Sequence, residues 1–187
     1  MNSLDRMLQQ QRIKRVRPHV RCGDIVLDFG CFDGSLFKTL GHLMGGGIGI
    51  DIAPSTENCF DGLGESFQLL TGGLELLTRE NLPKVDLVVA LAVIEHLDET
   101  QIREFAVRLA DLVDPSGRML LTIPHPLVDK ILAVGSALRL LAGPDLDRHH
   151  GLKPLAASNI IQSSGWVLKS WSKFQLGLNN VFYFERS

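Results

Sequence analysis

The segment VLDFGCFDGSL at residues 26–36 combines an apolar run with acids, two glycines and a cysteine. The apolar start predicts a buried strand that stops where Gly30 and Gly34 turn the chain into a helix. At such a turn the backbone can approach a ligand closely, and its N–H groups can bind polar parts of a cofactor. The segment therefore predicts a cofactor site at the end of the first strand.

The glycine spacing separates two kinds of cofactor loop. The dinucleotide fingerprint G-x-G-x-x-G needs glycine at positions 30, 32 and 35, where this chain has Gly30, Phe32 and Ser35. That mismatch argues against a dehydrogenase. The second pattern, acid-x-G-x-G-x-G, is matched by Asp28, Gly30 and Gly34 and departs only at Phe32.

The surrounding elements predict how this loop is positioned. Capping residues Asp98 and Gln101 predict the start of a helix, a turn is expected at 114–117, and Pro154 and Gly165 bound a second helix. Apolar strands separated by helices predict an α/β fold with a mostly parallel sheet and helices on both faces. The last two strands, joined by a short link, predict an antiparallel pair at the C-terminal end. The seven predicted strands are 24–29, 47–51, 66–70, 86–94, 117–123, 166–174 and 179–185.

Four motifs in this order resemble the class I S-adenosylmethionine-dependent methyltransferases, specifically the small single-domain type near the ubiquinone-biosynthesis and MetW-like groups. The motifs are VLDFGCFDG, GIGID ending at Asp51, DLVVALAVIEHL and GRMLLTIPHP. The resemblance covers the chain from about residue 20 to 187. It implies a Rossmann-like seven-stranded sheet, S-adenosylmethionine as cofactor and S-adenosylhomocysteine as product.

The resemblance also implies a set of cofactor-binding residues. The acid at the end of the first strand suits the ammonium group of the cofactor, and the acid closing the second strand accepts hydrogen bonds from both ribose hydroxyls. The interval between Asp28 and Asp51 is close to the expected one. The implied residues are Asp28, Gly30, Cys31, Phe32, Gly34, Asp51, Ile52, Leu91 and Ala92.

Two departures from the family pattern affect this site. Phe32 replaces the central glycine, so its ring is expected over or beside the ligand. Where the family places an acid for the adenine amino group, the chain has Gly72 and Gly73, and Glu75 comes two positions too late. Adenine is then expected to contact only backbone groups and apolar side chains.

A cation motif found in some relatives, Glu-x-x-Glu-His, is incomplete. Its first acid falls on Ala92, which leaves only Glu95 and His96. Two ligands make a poor site for a divalent cation, so no metal site is predicted.

The catalytic residue and the acceptor stay open. A methyl group on sulfonium is already activated, so transfer depends mainly on alignment, and a base is needed only if the acceptor loses a proton. His125, His149 and His150 are candidates on the ligand side of the sheet. The apolar stripe of 127–143 fits a core helix, a lid over the acceptor or a surface against lipid. We therefore expect a small or lipid-like acceptor.

Composition limits the remaining possibilities. The chain has 187 residues and a net charge of −2, which fit one soluble domain and indicate no nucleic-acid partner. Six basic residues and one acid fall within 1–21. This segment is predicted to be a basic helical arm that is either solvated or in contact with phosphate or a membrane surface. A single domain is predicted to follow at 22–187. Three cysteines without a C-x-x-C pair and no apolar run of about 18 residues indicate a cytoplasmic protein without a transmembrane segment.

Two alternative functions remain open at this level. One is a non-catalytic relative that keeps the methyltransferase fold as a binding or scaffold protein, which Phe32 and the missing third-strand acid would favour. The other is a nucleic-acid or protein methyltransferase that works through the basic arm. The sequence indicates neither the acceptor atom nor the oligomeric state.

Overall fold

The computed structural model describes residues 3–54, 60, 62–125 and 153–187, which form a seven-stranded sheet with helices on both faces. The strand order is β3-β2-β1-β4-β5-β7-β6. Strands β1 to β5 are parallel, and β7 runs antiparallel to both β5 and β6. The predicted fold class is confirmed. The strands are β1 (Ile25–Phe29), β2 (Gly46–Asp51), β3 (Phe67–Thr71), β4 (Val85–Leu91), β5 (Val113–Pro124), β6 (Trp166–Phe174) and β7 (Asn179–Arg186).

Four α-helices lie within the described residues: α1 (Ser3–Val16), α2 (Ser35–Leu40), α3 (Glu99–Leu112) and α4 (Pro154–Gln162). Helix α3 begins at the predicted capping box. Asp98 Oδ1 accepts a hydrogen bond of 2.8 Å from the Gln101 backbone N–H, and Gln101 Oε1 accepts one of 2.9 Å from the Asp98 backbone N–H. Such a cap stabilises a helix by about 1 kcal/mol, and the five apolar residues predicted for the inner face of α3 are buried.

Side chains alternate along the strands, so the core has two layers. One layer lies between the sheet and helices α3 and α4. The other face of the sheet, which we call the α1 face, carries Val26, Leu87, Val89 and Leu120, packed against Ile13, Val16, Leu36, Phe37 and Leu40 of α1 and α2. Because Val26 is on the α1 face, so is Asp28, two residues further along β1.

Two predicted boundaries were wrong. Strand β4 ends at Leu91 rather than at residue 94, because Ala92 has a left-handed backbone (φ 59°) that interrupts the extended chain. The turn predicted at 114–117 lies within β5 instead. There Val113 pairs with Val85 and Arg118 with Leu87, so β5 has extra residues between its two contacts with β4, as in a bulge.

Helix α1 packs along the α1 face, although its composition had left a solvated arm open. Ile13 and Val16 are buried in the core. The chain after the helix is held near the amino ends of the strands by Arg118, which donates hydrogen bonds to the His19 carbonyl (2.7 Å) and to the buried carboxylate of Asp24 (2.6 Å). A domain boundary at residue 21 stays a prediction, while Ile13 and Val16 of the arm contribute to the core.

Candidate functional site

The glycine loop after β1 and the end of β2 are joined by backbone hydrogen bonds. The Gly30 N–H donates to the Ile50 carbonyl at 2.7 Å. Asp51 Oδ2 accepts a hydrogen bond of 2.8 Å from the Phe32 N–H, and Oδ1 accepts one of 2.8 Å from the Ala53 N–H. Each carboxylate oxygen keeps a further lone pair, and the side chain is only half-buried. Asp51 is thus fixed in place and still able to accept hydrogen bonds from a diol.

Phe32 has the backbone geometry of the glycine that it replaces. Gly30, Phe32 and Gly34 all have left-handed φ angles, of 80°, 43° and 66°. This conformation costs roughly 1–2 kcal/mol for a residue with a Cβ. The Phe32 ring is 43% exposed, so it lies at the surface of the loop rather than in the core. The substitution therefore keeps the shape of the loop and adds an aromatic surface beside it.

Asp28 lies at the carboxyl end of β1 and is buried on the α1 face. Burial, together with the smaller effects of the nearby charges of Asp51 and Asp33, raises the pKa of its carboxyl to about 8. The group is consequently protonated near neutral pH in the absence of a cation. A positively charged ligand would favour its ionised form.

The fourth strand ends in a second strained position. The Ala92 N–H donates to both the carbonyl oxygen (2.9 Å) and Oγ1 (3.1 Å) of Thr122, which fixes its left-handed backbone. Leu91 beside it is half-buried. Cys31 is buried against β2, where a Cβ on Gly49 would lie 2.7 Å from its Sγ. Ile52 is 79% exposed and offers an apolar surface next to Asp51.

The side chain of Glu75 folds back toward the glycines that follow β3. The Gly73 N–H donates a hydrogen bond of 2.7 Å to Glu75 Oε1, and this bond lowers the pKa of the carboxyl. A Cβ on Gly72 would lie 2.8 Å from Oε1, and one on Gly73 would lie 3.1 Å from Oε2 and 3.6 Å from Cγ2 of Ile52. The Glu75 carboxylate thus takes up space beside these glycines and near Ile52. The expectation that adenine contacts only backbone groups and apolar side chains stays a prediction.

The first half of helix α1 lies near the glycine loop and contributes residues that the sequence interpretation had missed. Gln9 Nε2 donates a hydrogen bond of 3.0 Å to Asp33 Oδ1 in the glycine loop. Gln175, in the hairpin between β6 and β7, donates one of 3.0 Å to the Leu8 carbonyl. One turn further along α1, the charge of Arg12 interacts with that of Glu95 after β4.

A signal for this arrangement was present in the sequence. Gln9, Arg12, Ile13 and Val16 stand at positions i, i+3, i+4 and i+7, which places two apolar and two polar residues on one face of a helix. The two apolar residues pack on the sheet with Val26 and Leu87, and Gln9 is bonded to Asp33, so the polar pair lies on the side of the glycine loop.

Several remaining predictions concern residues that the structure places differently or does not describe. His125 follows β5, and its N–H donates a hydrogen bond of 2.8 Å to the Leu178 carbonyl, so it lies at the same edge of the sheet as the glycine loop. His149, His150 and the stripe at 127–143 lie outside the described residues. In the described part of the chain, no three His, Cys, Asp or Glu side chains form a group that could hold a metal ion, and no helix there is long and apolar enough to cross a membrane.

A groove of about 220 Å³ lies on the outer side of α1. Lys14, Arg15 and Phe174 line it together with Gln11 and Gln175. The Arg15 guanidinium lies 5.2 Å from the centre of the Phe174 ring. Neither Asp28 nor Asp51 lines this groove, so it is separate from the acids at the ends of β1 and β2.

The chain was compared with known proteins by sequence and by structure. No family model matches it, and no curated protein matches it. Among solved structures, the magnesium protoporphyrin IX methyltransferase of Synechocystis PCC 6803 with bound S-adenosylhomocysteine is similar over 100% of this chain and 89% of its own, with TM-score 0.71 and 20% identity. The chain has the class I methyltransferase fold.

Other structures with this fold differ in what they act on. A TehB-like S-adenosylmethionine-dependent methyltransferase from Corynebacterium glutamicum covers 94% of this chain and 87% of its own, with TM-score 0.68 and 15% identity. A small RNA methyltransferase covers 96% of this chain but only 25% of its own, with TM-score 0.69 and 20% identity. At these identities the likeness shows the methyltransferase fold alone, and the acceptor does not follow from it.

Proposed function

We propose that this protein is an S-adenosylmethionine-dependent methyltransferase that transfers a methyl group in line to a small or lipid-like acceptor. The observation that carries the proposal is the geometry of Asp51: its carboxylate accepts hydrogen bonds from the N–H of Phe32 in the glycine loop and from the N–H of Ala53 after β2, and each oxygen keeps a further lone pair. A ribose diol matches that acceptor pair. The finer resemblance to the ubiquinone-biosynthesis and MetW-like groups is part of the proposal.

The donor set of the described residues fits S-adenosylmethionine. The buried Asp28 suits a cationic group, because a cation would offset the cost of ionising a carboxyl in that position. Ile52 and Leu91 offer apolar surfaces for adenine, and the left-handed loop from Gly30 to Gly34 brings backbone close to the ligand. Bound there, the cofactor supplies a methyl group already activated on sulfonium.

Glu75 completes this assignment on the adenine side. Its carboxylate lies next to Gly73 and Ile52, and Oε2 is not the oxygen that accepts the Gly73 hydrogen bond. A carboxylate in this position can accept a hydrogen bond from the exocyclic amino group of adenine. We therefore assign to Glu75 the role that the family gives to an acid nearer the end of the third strand.

The proposed binding place of the methyl acceptor is inferred from the position of His125 in the fold. His125 follows β5 at the carboxyl edge, where open α/β folds bind ligands. It is the described candidate for a general base if the acceptor must lose a proton. The small or lipid-like character of the acceptor is supported by the apolar stripe at 127–143, which the sequence provides.

Two measurements test the proposal together. Calorimetry with S-adenosylhomocysteine should show saturable one-to-one binding. Incubation with methyl-tritiated S-adenosylmethionine and cell extract should then place label in the organic phase or the small-molecule fraction. Label in precipitated RNA or protein would support the macromolecular alternative, and binding without label in any fraction would support a non-catalytic protein. Absence of S-adenosylhomocysteine binding would contradict the cofactor assignment itself.

A further inference from the structure

The turn between β6 and β7 presents a leucine to solvent on a strained backbone. Gln175, Leu176 and Gly177 all have left-handed φ angles, of 51°, 56° and 85°. Glycine adopts this conformation freely, but the other two residues carry a Cβ that is crowded there. Leu176 is also fully exposed, more than any other large apolar side chain in the described part of the chain. A strained turn that exposes a leucine completely indicates that this side chain is placed for a partner.

The turn is fixed against helix α1 at the carboxyl edge of the sheet. Gln175 Nε2 donates a hydrogen bond of 3.0 Å to the Leu8 carbonyl, and Gln175 Oε1 accepts one of 2.8 Å from Nδ2 of the buried Asn179. Asn179 pairs with the last residue of β5, so the turn projects beyond the end of that strand. Met7, which precedes Leu8, is half-exposed. Two exposed apolar residues, Leu176 and Met7, are thus the sequence neighbours of the residues joined by this hydrogen bond.

Cations border the turn on both faces of β6, which is an edge strand. On one face, the groove beside α1 is lined by Lys14 and Arg15 and by no acid, and the Arg15 guanidinium lies 5.2 Å from the centre of the Phe174 ring. On the other face, Lys173 Nζ lies 5.9 Å from the centre of the Trp171 ring. All three cations are exposed, and so is Trp171. The surroundings of the turn are therefore cationic and partly aromatic.

We propose that this side of the protein docks on the surface of an anionic lipid bilayer. The hairpin surface comprises Met7, Lys14, Arg15, Lys173 and Leu176. Its apolar side chains enter the bilayer between the headgroups, and its cations meet the lipid phosphates. The exposed tryptophan beside Lys173 is a residue type favoured at such an interface.

The residue types favour a bilayer over other partners of a cationic surface. A nucleic acid would neutralise the cations, but it would gain nothing from Leu176 and Met7. A second copy of this chain, placed face to face by a twofold axis, would bring the same cations together. An anionic bilayer matches both the charges and the apolar side chains.

Docking in this orientation turns the carboxyl edge of the sheet toward lipid. Because β5 ends beside the turn, an acceptor with an apolar chain reaches that edge directly from the bilayer. This consequence rests on the proposed function, whereas the docking itself needs neither cofactor nor acceptor.

Vesicle flotation of the full chain without cofactor tests the hairpin surface. Wild type should bind vesicles of phosphatidylcholine mixed with phosphatidylglycerol, should bind phosphatidylcholine alone more weakly, and should lose affinity as salt is added. Arg15→Gln and Lys173→Gln should each lower the affinity about fivefold, the effect of one basic residue near such a surface. Leu176→Asn should lower it roughly tenfold, as for partial burial of a leucine. Asparagine tolerates a left-handed backbone, so this variant keeps the turn.

Two substitutions outside the hairpin surface are matched controls. Lys84→Gln removes the same unit of charge just before β4, where the lysine is paired with Asp114. Val107→Asn removes a half-exposed apolar residue from α3, in the layer on the opposite side of the sheet. Both controls should bind the mixed vesicles as wild type does, and thermal melts show whether each variant is folded.

The exposed tryptophan gives a second readout. The chain has two tryptophans, of which Trp166 is buried and Trp171 is exposed. Brominated lipid in the mixed vesicles should therefore quench the fluorescence of Trp171 in the bound protein, and the quenching should disappear in Trp171→Phe.

The inference is wrong if wild type does not bind the mixed vesicles, if the controls lose as much affinity as the hairpin variants, or if bound wild type shows no quenching. Weaker binding of a transfer-RNA probe by Arg15→Gln and Lys173→Gln, with vesicles unbound, would assign the surface to nucleic acid. A dimer of wild type that Leu176→Asn converts to a monomer would assign it to a second copy. None of these results alters binding of S-adenosylhomocysteine, which tests the proposed function separately.

Discussion

The backbone N–H of Phe32 donates a 2.8 Å hydrogen bond to Oδ2 of Asp51, which joins the loop after the first strand to the acid that ends the second. The bond requires the Phe32 backbone to stay in its left-handed conformation, with φ of 43°. Phe32, the residue that departs most clearly from the family pattern, therefore makes a backbone contact that any residue other than proline could make there. Compared with a glycine, the phenylalanine side chain adds backbone strain at this position and an aromatic surface beside the proposed cofactor site.

Replacing Phe32 by glycine should remove that strain. Glycine adopts positive φ without the penalty of a Cβ, although it costs up to about 1 kcal/mol in entropy. Alanine loses the ring but keeps the Cβ, so Phe32→Ala is the matched control. In urea denaturation we expect Phe32→Gly to be more stable than Phe32→Ala by roughly 1 kcal/mol.

Calorimetry on the same two variants tests the role of the ring. If the ring only crowds the site, affinity for S-adenosylhomocysteine should be unchanged or higher in Phe32→Gly. A large loss of affinity in both variants, with folding intact, would instead show that the ring packs on the cofactor.

The buried carboxyl of Asp28 should make stability depend on pH. Its pKa in the folded protein is about 8, against an ordinary value of 3.8, mainly because of burial. The folded protein therefore holds a proton between these values that the unfolded chain has released. The contribution of Asp28 to the free energy of unfolding is largest below about pH 4 and is lost as the pH rises toward 8, by up to about 1.4 kcal/mol per pH unit.

Urea denaturation from pH 5 to 8.5 checks this on wild type and Asp28→Asn. Asparagine cannot titrate at this position, so the free energy of unfolding of Asp28→Asn should fall much less with rising pH than that of wild type. Equal slopes in the two proteins would mean that Asp28 is ionised throughout this range.

Cofactor binding should reverse the preference of Asp28 for its protonated form. A cation next to the carboxyl favours ionisation, so binding below about pH 8 should release a proton, and affinity should rise with pH over the same range. Calorimetry of S-adenosylhomocysteine in two buffers of different ionisation enthalpy measures the proton directly. The release should disappear in Asp28→Asn, and a release that persists in the variant would assign the proton to another group.

Glu75 should make the site selective for the adenine amino group. We expect wild type to bind S-adenosylhomocysteine more tightly than S-inosylhomocysteine, in which a carbonyl replaces the amino group. Glu75→Ala should lose most of this preference, whereas Glu80→Ala, which removes another exposed acid from the segment between β3 and β4, should keep it. An unchanged preference in Glu75→Ala would return adenine recognition to backbone groups and Ile52.

The elements that depend on local patterns could be predicted from the sequence. The capping pair Asp98 and Gln101 and the apolar face behind it determine where α3 begins and packs. The lengths of the links between apolar runs indicated which strands are parallel. The acids at the ends of β1 and β2 could be placed in the same way, because parallel strands end at one edge of the sheet.

Contacts between distant segments could not be predicted in this way. Nothing near Arg12 in the sequence indicates Glu95, which is brought to it by the packing of Ile13 and Val16 on the sheet. The contact of Glu75 could not be predicted either, because spacing along an extended strand does not describe a side chain that folds back to the backbone of Gly73. The early end of β4 depends on a hydrogen bond from Ala92 to Thr122 on a neighbouring strand.

The central claim is that Asp51 holds the ribose of S-adenosylmethionine, and the affinity of Asp51→Ala for S-adenosylhomocysteine tests it most directly. Calorimetry should show a loss on the order of 2 kcal/mol relative to wild type, because two charge-assisted hydrogen bonds are removed. Asp51→Asn keeps one acceptor oxygen, so its affinity should lie between those of wild type and Asp51→Ala. Thermal melts control for the lost bonds to Phe32 and Ala53. If folded Asp51→Ala binds as tightly as wild type, the ribose does not contact Asp51 and the account of this site is wrong.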